Sequence, residues 1–235
     1  MSERLNRYIS AAGLCSRRDA DRLIREGKVR INGAVAALGA VVEEADAVDV
    51  NGKRVQAAAE KIVLAFYKPV GVTCTEKDRF AKKMVKDVLR YPVRLTYAGR
   101  LDKDSEGLLL MTNDGSLIER MMRGENGHEK EYIVKVDKEI TDGMAEKLKV
   151  GVWLPELALK TRPCQIKILG KYTFGVILTQ GVNKQIRRMC EACGYRVKSL
   201  KRIRVINIEL ANLKAGEYRR IKNGELAELY QKCGM

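Results

Sequence analysis

The stretch GRLDKDSEGLLLMTNDG, which begins at Gly99, restricts the fold more than any other part of this chain. It contains a charged loop, the apolar run Gly107–Met111 and the turn tripeptide Asn113-Asp114-Gly115. A short apolar run that follows a loop and ends at such a turn predicts a buried β-strand. We therefore expect a buried strand with a charged loop at its mouth.

Asp102 lies in this charged loop between Arg100 and Lys103. The neighbouring cations should keep its carboxylate ionised, and the mouth of a buried strand is a place that a substrate can reach. Asp102 is therefore a candidate nucleophile or base. The alternative is that it merely ends the strand and pairs with a neighbouring arginine.

The charge of the chain indicates its partner. Its 235 residues include 45 Lys and Arg against 30 Asp and Glu, which gives a formal charge of +15. So large a surplus in a chain of ordinary apolar content favours a polyanionic partner, most often a phosphate backbone, over a membrane surface. No stretch approaches the roughly 18 apolar residues of a membrane span, and the amino terminus is charged where a signal peptide would be apolar. We expect a cytoplasmic protein without a membrane partner.

The cysteines and the single histidine do not form a recognisable metal or redox site. Six cysteines are scattered along the chain, and Cys190 and Cys193 alone have the C-x-x-C spacing. No second pair accompanies them, and His128 has no evident ligand or triad partner. P-loop and dinucleotide-binding glycine patterns are also missing from the sequence. We expect reduced thiols, no metal and no cofactor.

The order of the local patterns predicts two domains of an α+β protein. Two helical patterns, Arg4–Ala12 and Ser16–Glu26, precede short strands and define a small α/β domain over residues 1–50. Residues 51–61 are polar and alanine-rich, which is typical of a linker. Residues 62–235 are rich in strands and predict a domain with a mixed, largely antiparallel sheet flanked by helices.

Four motifs of the larger domain resemble those of the rRNA pseudouridine synthases of the RsuA/RluB/RluE/RluF type. The segments Arg100-Leu101-Asp102, Ser105–Leu109 and Thr112–Gly115 resemble the catalytic motif of that family. The KPVGV segment from Lys68 resembles its first motif, KEY around Tyr132 its second and QIRRM around Arg187 its third. The resemblance implies that Asp102 is catalytic, that Tyr132 stacks on the target base and that Arg187 lies against Asp102.

The front of the chain resembles an S4 RNA-binding domain, through GLCSRR from Gly13 and GKV from Gly27. That resemblance implies that Arg17, Arg18 and Lys28 face RNA phosphates. Eight basic residues and one acid between Lys184 and Arg204 predict a second positive surface. The RNA-binding residues predicted in the larger domain are Arg100, Lys103, Lys184, Gln185 and Arg188.

The family resemblance implies an isomerase that detaches uracil from C1′ of its ribose, rotates it and reattaches it through C5. The segments GHEKEY from Gly127 and GEY from Gly216 look most like the RluF branch, which acts on 23S rRNA. The residues do not separate attack of Asp102 on C1′ from proton removal at C2′. We expect ribosomal RNA as the partner, with tRNA as a possible second substrate, and a monomer.

Two other functions stay open at this point. The S4-like front and the charge would also suit a non-catalytic RNA-binding or ribosome-assembly factor. A glycosidase-like hydrolase that uses Asp102 and Glu106 as an acid–base pair is the other. Such a hydrolase would release free uracil, whereas an isomerase releases no base.

Overall fold

The computed structural model describes residues 2–56, 60–75, 81–123 and 126–235. The chain divides into two compact units. One comprises the chain up to Ile62 together with Tyr91–Thr96 and Thr112–Gly115, and the other comprises Val63–Arg90, Tyr97–Met111 and Ser116–Met235.

The first unit contains the two predicted helices and six short strands. In chain order these are β1 (Glu3–Arg4), α1 (Leu5–Ala11), α2 (Arg17–Arg25), β2 (Val29–Ile31), β3 (Ala34–Val35), β4 (Val41–Val42), β5 (Val48–Val50) and β6 (Lys53–Arg54). Strands β3-β2-β5-β6 form one antiparallel sheet, and β1 pairs with β4. Helix α2 begins where it does because the Ser16 hydroxyl accepts a hydrogen bond from the Asp19 N–H at 3.1 Å. The apolar core of this unit includes Leu5, Ile9 and Ile24.

The predicted linker of residues 51–61 is not uniformly irregular. Its first part contains β6, which extends the sheet of the first unit. Residues 57–59 lie outside the described residues, so the domain boundaries at residues 50 and 62 stay a prediction.

The remaining strands and helices complete the fold. The strands are β7 (Val63–Lys68), β8 (Thr96–Ala98), β9 (Glu106–Thr112), β10 (Lys130–Val136), β11 (Trp153–Leu154), β12 (Leu159–Lys160), β13 (Gln165–Gly170), β14 (Thr173–Leu178), β15 (Val197–Val205), β16 (Ile208–Glu209) and β17 (Tyr218–Arg220). The helices are α3 (Val85–Val88), α4 (Gly115–Met122), α5 (Asp142–Lys149), α6 (Gln185–Ala192) and α7 (Asn223–Lys232). A 3-10 turn, Pro155–Leu157, joins β11 to β12.

The large sheet has the strand order β13-β14-β10-β15-β9-β7-β17, with β16 paired to β15 and β8 to β9. Strand β15 runs parallel to β9 and antiparallel to β10, while β13, β14 and β10 form an antiparallel run. This arrangement confirms the predicted mixed, largely antiparallel sheet. It also places β9 in the interior, as its apolar run predicts, because all residues from Gly107 to Thr112 are buried.

Two apolar cores flank this sheet. One joins β7 and β9 to helices α4 and α7 through residues such as Ala65, Leu108 and Leu117. The other joins β10 and β14 to α5 and α6 through residues such as Val134 and Met189. Among the described residues, no helix is long and apolar enough to cross a lipid bilayer.

Candidate active site

Asp102 lies on the loop that leads into β9, and its side chain is half-buried. Its main-chain carbonyl accepts a hydrogen bond from the Ser105 N–H at 3.1 Å, which closes a tight turn before Glu106 begins the strand. Leu101 and Ser105 on either side are buried. These anchors present Asp102 at the mouth of the buried strand, as the sequence predicts.

Lys68 ties the loop that follows β7 to the Asp102 loop. This lysine is 0% exposed, and its ammonium donates to the carbonyl oxygens of Pro69 and Val72, each at 2.8 Å. A third carbonyl, that of Lys103, lies 3.5 Å from the ammonium and also accepts the Gly71 N–H at 2.8 Å. The KPVGV segment is therefore fastened to the residue that follows Asp102.

Several charges surround the buried Lys68 ammonium. Burial lowers the pKa of this lysine, while the Cys74 sulfur and the carboxylates of Asp102 and Asp104 oppose that effect. Asp102 is thus electrostatically coupled to a buried cation. Within the described part of the chain, however, no basic group lies within 4.0 Å of its carboxylate as an ion pair.

The side chain of Arg187, on helix α6, binds main-chain carbonyl oxygens, and one of these belongs to the same loop. Its Nη2 donates to the Asp104 carbonyl oxygen at 2.8 Å, and its Nη1 to that of Val197 at 3.4 Å. The family resemblance implies that this arginine lies against the aspartate. The structure brings it to the carbonyl two residues beyond Asp102, so direct pairing of the two side chains stays a prediction.

Arg202 is a residue of the site that sequence reasoning missed. It is only 3% exposed, its Nε donates to the Leu108 carbonyl at 2.7 Å, and its Nη1 donates to the Arg100 carbonyl at 3.4 Å. These two acceptors lie on either side of Asp102 in sequence, so one guanidinium holds both ends of the loop. Its Nη2 is buried without a hydrogen-bond partner among the described residues. The sequence predicts a positive surface over the run from Lys184 to Arg204. The structure departs from this prediction at Arg202, whose side chain is buried.

Gly107 allows β15 to approach this closely. It pairs with Arg202 in the parallel β9–β15 register, and its φ is +106°. A Cβ atom at this position would overlap the carbonyl oxygen of Arg202 and lie 2.8 Å from its nitrogen. The residue must therefore be glycine for reasons of both conformation and space.

Tyr132 is brought to the same part of the sheet. It pairs with Arg202 across β10 and β15, next to a register irregularity between Glu131 and Tyr132. Two strand spacings, about 10 Å, therefore separate it from Gly107 on β9. Tyr132 is half-buried and packs against the second apolar core.

Lys130, two residues before Tyr132, lies near the charge of Arg202. Burial lowers the pKa of Lys130, and the nearby Arg202 charge lowers it further. The ammonium of Lys130 donates to the His128 carbonyl at 3.2 Å. The site thus combines one half-buried carboxylate with several buried or half-buried cations.

Glu106 is engaged by a buried tyrosine. The Tyr67 hydroxyl donates to its carboxylate at 2.8 Å, and the Lys201 ammonium lies 4.9 Å from the centre of the Tyr67 ring. Burial, and then the Glu106 carboxylate, raise the pKa of Tyr67 to about 12. Glu106 is therefore part of a fixed cluster beside the loop, a poor arrangement for the acid of a hydrolytic pair.

The predicted RNA-binding residues fall into two groups. Arg17 and Arg18 are exposed on the first turn of α2 without an ion-pair partner in the described regions, and Lys28 is exposed and paired with Glu26 at 2.7 Å. In the second unit Arg100, Lys103 and Lys184 are exposed.

Gln185 and Arg188 are more constrained than the sequence suggests. Gln185 is buried, and its Oε1 accepts the Val182 N–H at 3.0 Å. Arg188 pairs with Glu156 and donates to the Asn183 carbonyl at 3.0 Å. Gln185 therefore supports the start of α6, and its contact with RNA stays a prediction.

Buried thiols of this chain are poor nucleophiles. Burial raises the pKa of Cys190 to about 12 and that of Cys164 to about 11. All six cysteines are free. Over residues 2–56, 60–75, 81–123 and 126–235, no three His, Cys, Asp or Glu side chains cluster as metal ligands would.

Comparison with known proteins is consistent with this geometry. Residues 62–192 match the family model for RNA pseudouridylate synthase, and residues 3–48 match that of the S4 domain. The chain is 44% identical to the dual-specificity RNA pseudouridine synthase RluF of Salmonella typhi over 98% of its own length and 79% of that protein. It is 38% identical to the ribosomal large subunit pseudouridine synthase B of Bacillus subtilis, over 97% and 95%. A crystal structure of a pseudouridylate synthase superposes with a TM-score of 0.71 at 27% identity, covering 96% of this chain and 99% of the other.

Proposed function

Because the chain belongs to the RNA pseudouridylate synthase family, we propose that it converts a uridine of large-subunit ribosomal RNA into pseudouridine with Asp102 as its catalytic carboxylate. The observation that carries this proposal is the Asp102 loop. Its carboxylate is half-buried and free of a direct ion pair among the described residues, while Lys68, Arg187 and Arg202 hold the loop through main-chain carbonyls. A carboxylate fixed in place but not neutralised by a salt bridge is suited to act on a substrate.

The reaction rearranges one bond of the nucleoside without external reactants. The bond between N1 of uracil and C1′ of ribose breaks, the base rotates, and C5 bonds to C1′. The proton leaves C5, and N1 regains one. Asp102 acts at the ribose in one of two ways. It attacks C1′ and forms an ester bond that breaks when C5 bonds to C1′, or it removes the C2′ proton and returns it to C2′ when C5 bonds to C1′. The balance requires no metal, oxidant or nucleotide.

Tyr132 and Arg187 are assigned supporting roles. The Tyr132 ring stacks on the extruded uracil, a contact worth about 1–3 kcal/mol. Arg187 orients the Asp102 loop from α6. Extrusion of the base costs least where it is unpaired, so we propose a loop or bulge as the target.

The substrate class rests on the relatives and on the charge. One relative is described as acting on the large ribosomal subunit, and another as a dual-specificity RNA enzyme. The S4 domain supplies exposed arginines for phosphate contacts, and the net charge of +15 fits a polyanion. We therefore propose large-subunit rRNA as the substrate, tRNA as a possible second one, and a cytoplasmic monomer as the working form.

A map of pseudouridines tests the function and the role of Asp102 together. Total RNA is compared between cells that lack the protein and cells complemented with wild type, Asp102→Asn or Asp104→Asn. We expect one large-subunit site to disappear on deletion and to return with wild type and with Asp104→Asn, but not with Asp102→Asn. Asp104→Asn is the matched control because it removes a neighbouring carboxylate and keeps the carbonyl that Arg187 binds.

Two other outcomes would contradict this proposal. An unchanged map would support a non-catalytic RNA-binding factor, and such a protein should bind RNA better as Asp102→Asn. Release of free uracil, abolished by Glu106→Gln, would support the hydrolase.

A further inference from the structure

Trp153 is exposed in a way that the fold does not require. It is the one tryptophan of the chain and is 56% exposed, whereas the next residue, Leu154, is 1% exposed. Within the described part of the chain its indole N–H has no hydrogen-bond partner, and the cation–π contacts there involve tyrosines. An exposed indole offers its flat face to a ligand, and bases of single-stranded nucleic acids stack on such rings.

The hairpin that carries Trp153 is tightly fixed. Thr161 donates its N–H to the Val152 carbonyl at 2.9 Å, and its hydroxyl accepts the Val152 N–H at 2.9 Å. Gly151, with φ +86°, approaches the Thr161 carbonyl more closely than any Cβ atom would allow. The indole is therefore presented on a rigid backbone, which lowers the entropy lost when a ligand binds.

An exposed lysine lies opposite Trp153 in this hairpin. Lys160 pairs with Trp153 across the β11–β12 ladder. Because Val152 and Thr161 form the neighbouring hydrogen-bonded pair, Trp153 and Lys160 are a non-hydrogen-bonded pair, whose Cα atoms are about 4.5 Å apart and whose side chains share one face. Lys160 is exposed and, among the described residues, has no ion-pair partner.

Helix α6 connects this hairpin to the Asp102 loop. The helix packs against β11, and Arg188 fastens it to Glu156 in the turn that follows Trp153. The adjacent Arg187 holds the Asp104 carbonyl. The exposed indole is thus fixed in relation to the catalytic loop by one short helix.

We propose that Trp153 and Lys160 form a contact site for single-stranded RNA that flanks the target nucleotide. Trp153 stacks on an unpaired base, and Lys160 binds a phosphate of the same strand. The combination of an aromatic face with a neighbouring cation is the arrangement by which proteins hold single strands without reading their sequence. This inference rests on the proposed function, because it assigns the second contact to the same substrate.

The single tryptophan makes the contact directly measurable. Wild-type protein is titrated with a 12-nucleotide oligouridine or a 12-base-pair RNA duplex, while anisotropy of labelled RNA reports binding independently. We expect the oligouridine to quench and shift the Trp153 emission, and the duplex to leave the emission nearly unchanged. Binding seen by anisotropy with no change of emission for either RNA would overturn the proposal.

Kinetics on a transcript of large-subunit rRNA provide the second arm. Trp153→Ala should raise KM about 5- to 160-fold with kcat within about twofold of wild type, since stacking energies of the usual size convert to such factors. Trp153→Phe should stay close to wild type. Tyr172→Ala, which removes another exposed aromatic ring, is the matched control and should not change KM.

The outcomes separate this proposal from the proposed function. An unchanged KM for Trp153→Ala, or an equal rise of KM for Tyr172→Ala, would contradict the stacking role. A Trp153→Ala variant that loses only self-association or binding to another protein would contradict it as well. If wild type forms no pseudouridine, the proposed function fails, while the Trp153 emission still decides whether the indole meets RNA.

Discussion

The cations of helix α2 and those around the Asp102 loop are chemically alike but differ in what they bind. Arg17 and Arg18 are exposed, and no carboxylate within the described residues pairs with them. Lys68 and Arg202 are buried, and each is bound by main-chain carbonyl oxygens. The first pair is free to bind an external anion, whereas the second pair is occupied in holding a loop.

Basic residues therefore serve two different functions in this chain, and the composition alone cannot separate them. Removal of an exposed arginine changes the free energy of unfolding little, but it weakens a phosphate contact. A buried arginine leaves unsatisfied carbonyls behind, so its loss affects stability and the geometry of Asp102 together. Mutations of the exposed arginines should therefore weaken RNA binding without changing stability, whereas mutations of the buried cations should lower stability and activity together.

The largest effect is expected at Gly107, which the buried Arg202 main chain contacts. Gly107→Ala should lower the free energy of unfolding by about 3 kcal/mol or more, because the methyl group would overlap the Arg202 carbonyl at a φ that disfavours alanine. Urea denaturation measures this loss. Gly143→Ala is the control, since that glycine is exposed in α5 with no atom near its Cβ position, and it should stabilise the protein by about 0.5–1 kcal/mol. Equal effects at the two glycines would contradict the close approach of β15.

Arg202→Met should have the next largest effect. The change leaves the Leu108 and Arg100 carbonyls without their donor, and we expect a loss of about 1–3 kcal/mol in the free energy of unfolding and a lower kcat. Arg202→Lys keeps the charge but has one ammonium in place of the two donors that bind these carbonyls. Its stability and kcat should therefore lie between those of Arg202→Met and wild type. Arg17→Met, on α2, is the matched control and should change stability by less than about 0.5 kcal/mol. A fully stable and active Arg202→Met would disprove the positioning role.

Local patterns in the sequence are sufficient to predict one part of this structure. The apolar run before Asn113 predicts the buried strand β9, and the capping serine Ser16 predicts the start of α2, because both depend on residues close in sequence. The exposure of Arg17 and Arg18 follows from their place on that helix. The sheet class was also predictable from the strand-rich pattern.

The remaining part depends on contacts between residues far apart in sequence. Arg202 looks like one more basic residue in a positive run, and only the parallel register of β15 on β9 turns it inward. Gln185, which resembles an RNA-binding residue, is buried because it closes the turn at Val182. The isolated tryptophan at position 153 was a signal in the sequence, but its exposure depends on the β11–β12 register.

The exposed arginines provide a contrasting prediction with no loss of stability. Arg17→Ala combined with Arg18→Ala should weaken binding to an rRNA fragment at low salt and reduce the slope of log K against log salt by about 1.4–1.8, if each arginine neutralises one phosphate. The melting temperature should stay unchanged. Arg22→Ala is the control on the same helix, because Arg22 is paired with Asp19 at 3.3 Å. An affinity that does not depend on salt would contradict RNA binding by this helix.

The smallest effect concerns the pH dependence that Lys68 gives to stability. Burial lowers the pKa of Lys68 in the folded protein below its unfolded value near 10.4. Between the two values the unfolded chain binds more protons than the folded one, so this group makes the protein more stable as pH rises. The free energy of unfolding of wild type, relative to Lys68→Met, should therefore increase from pH 7 to pH 10. Urea denaturation of both proteins at these two pH values measures the difference, in which the titrations common to both cancel. A difference that is constant or falls with pH would mean that Lys68 is not buried as a cation beneath the Asp102 loop.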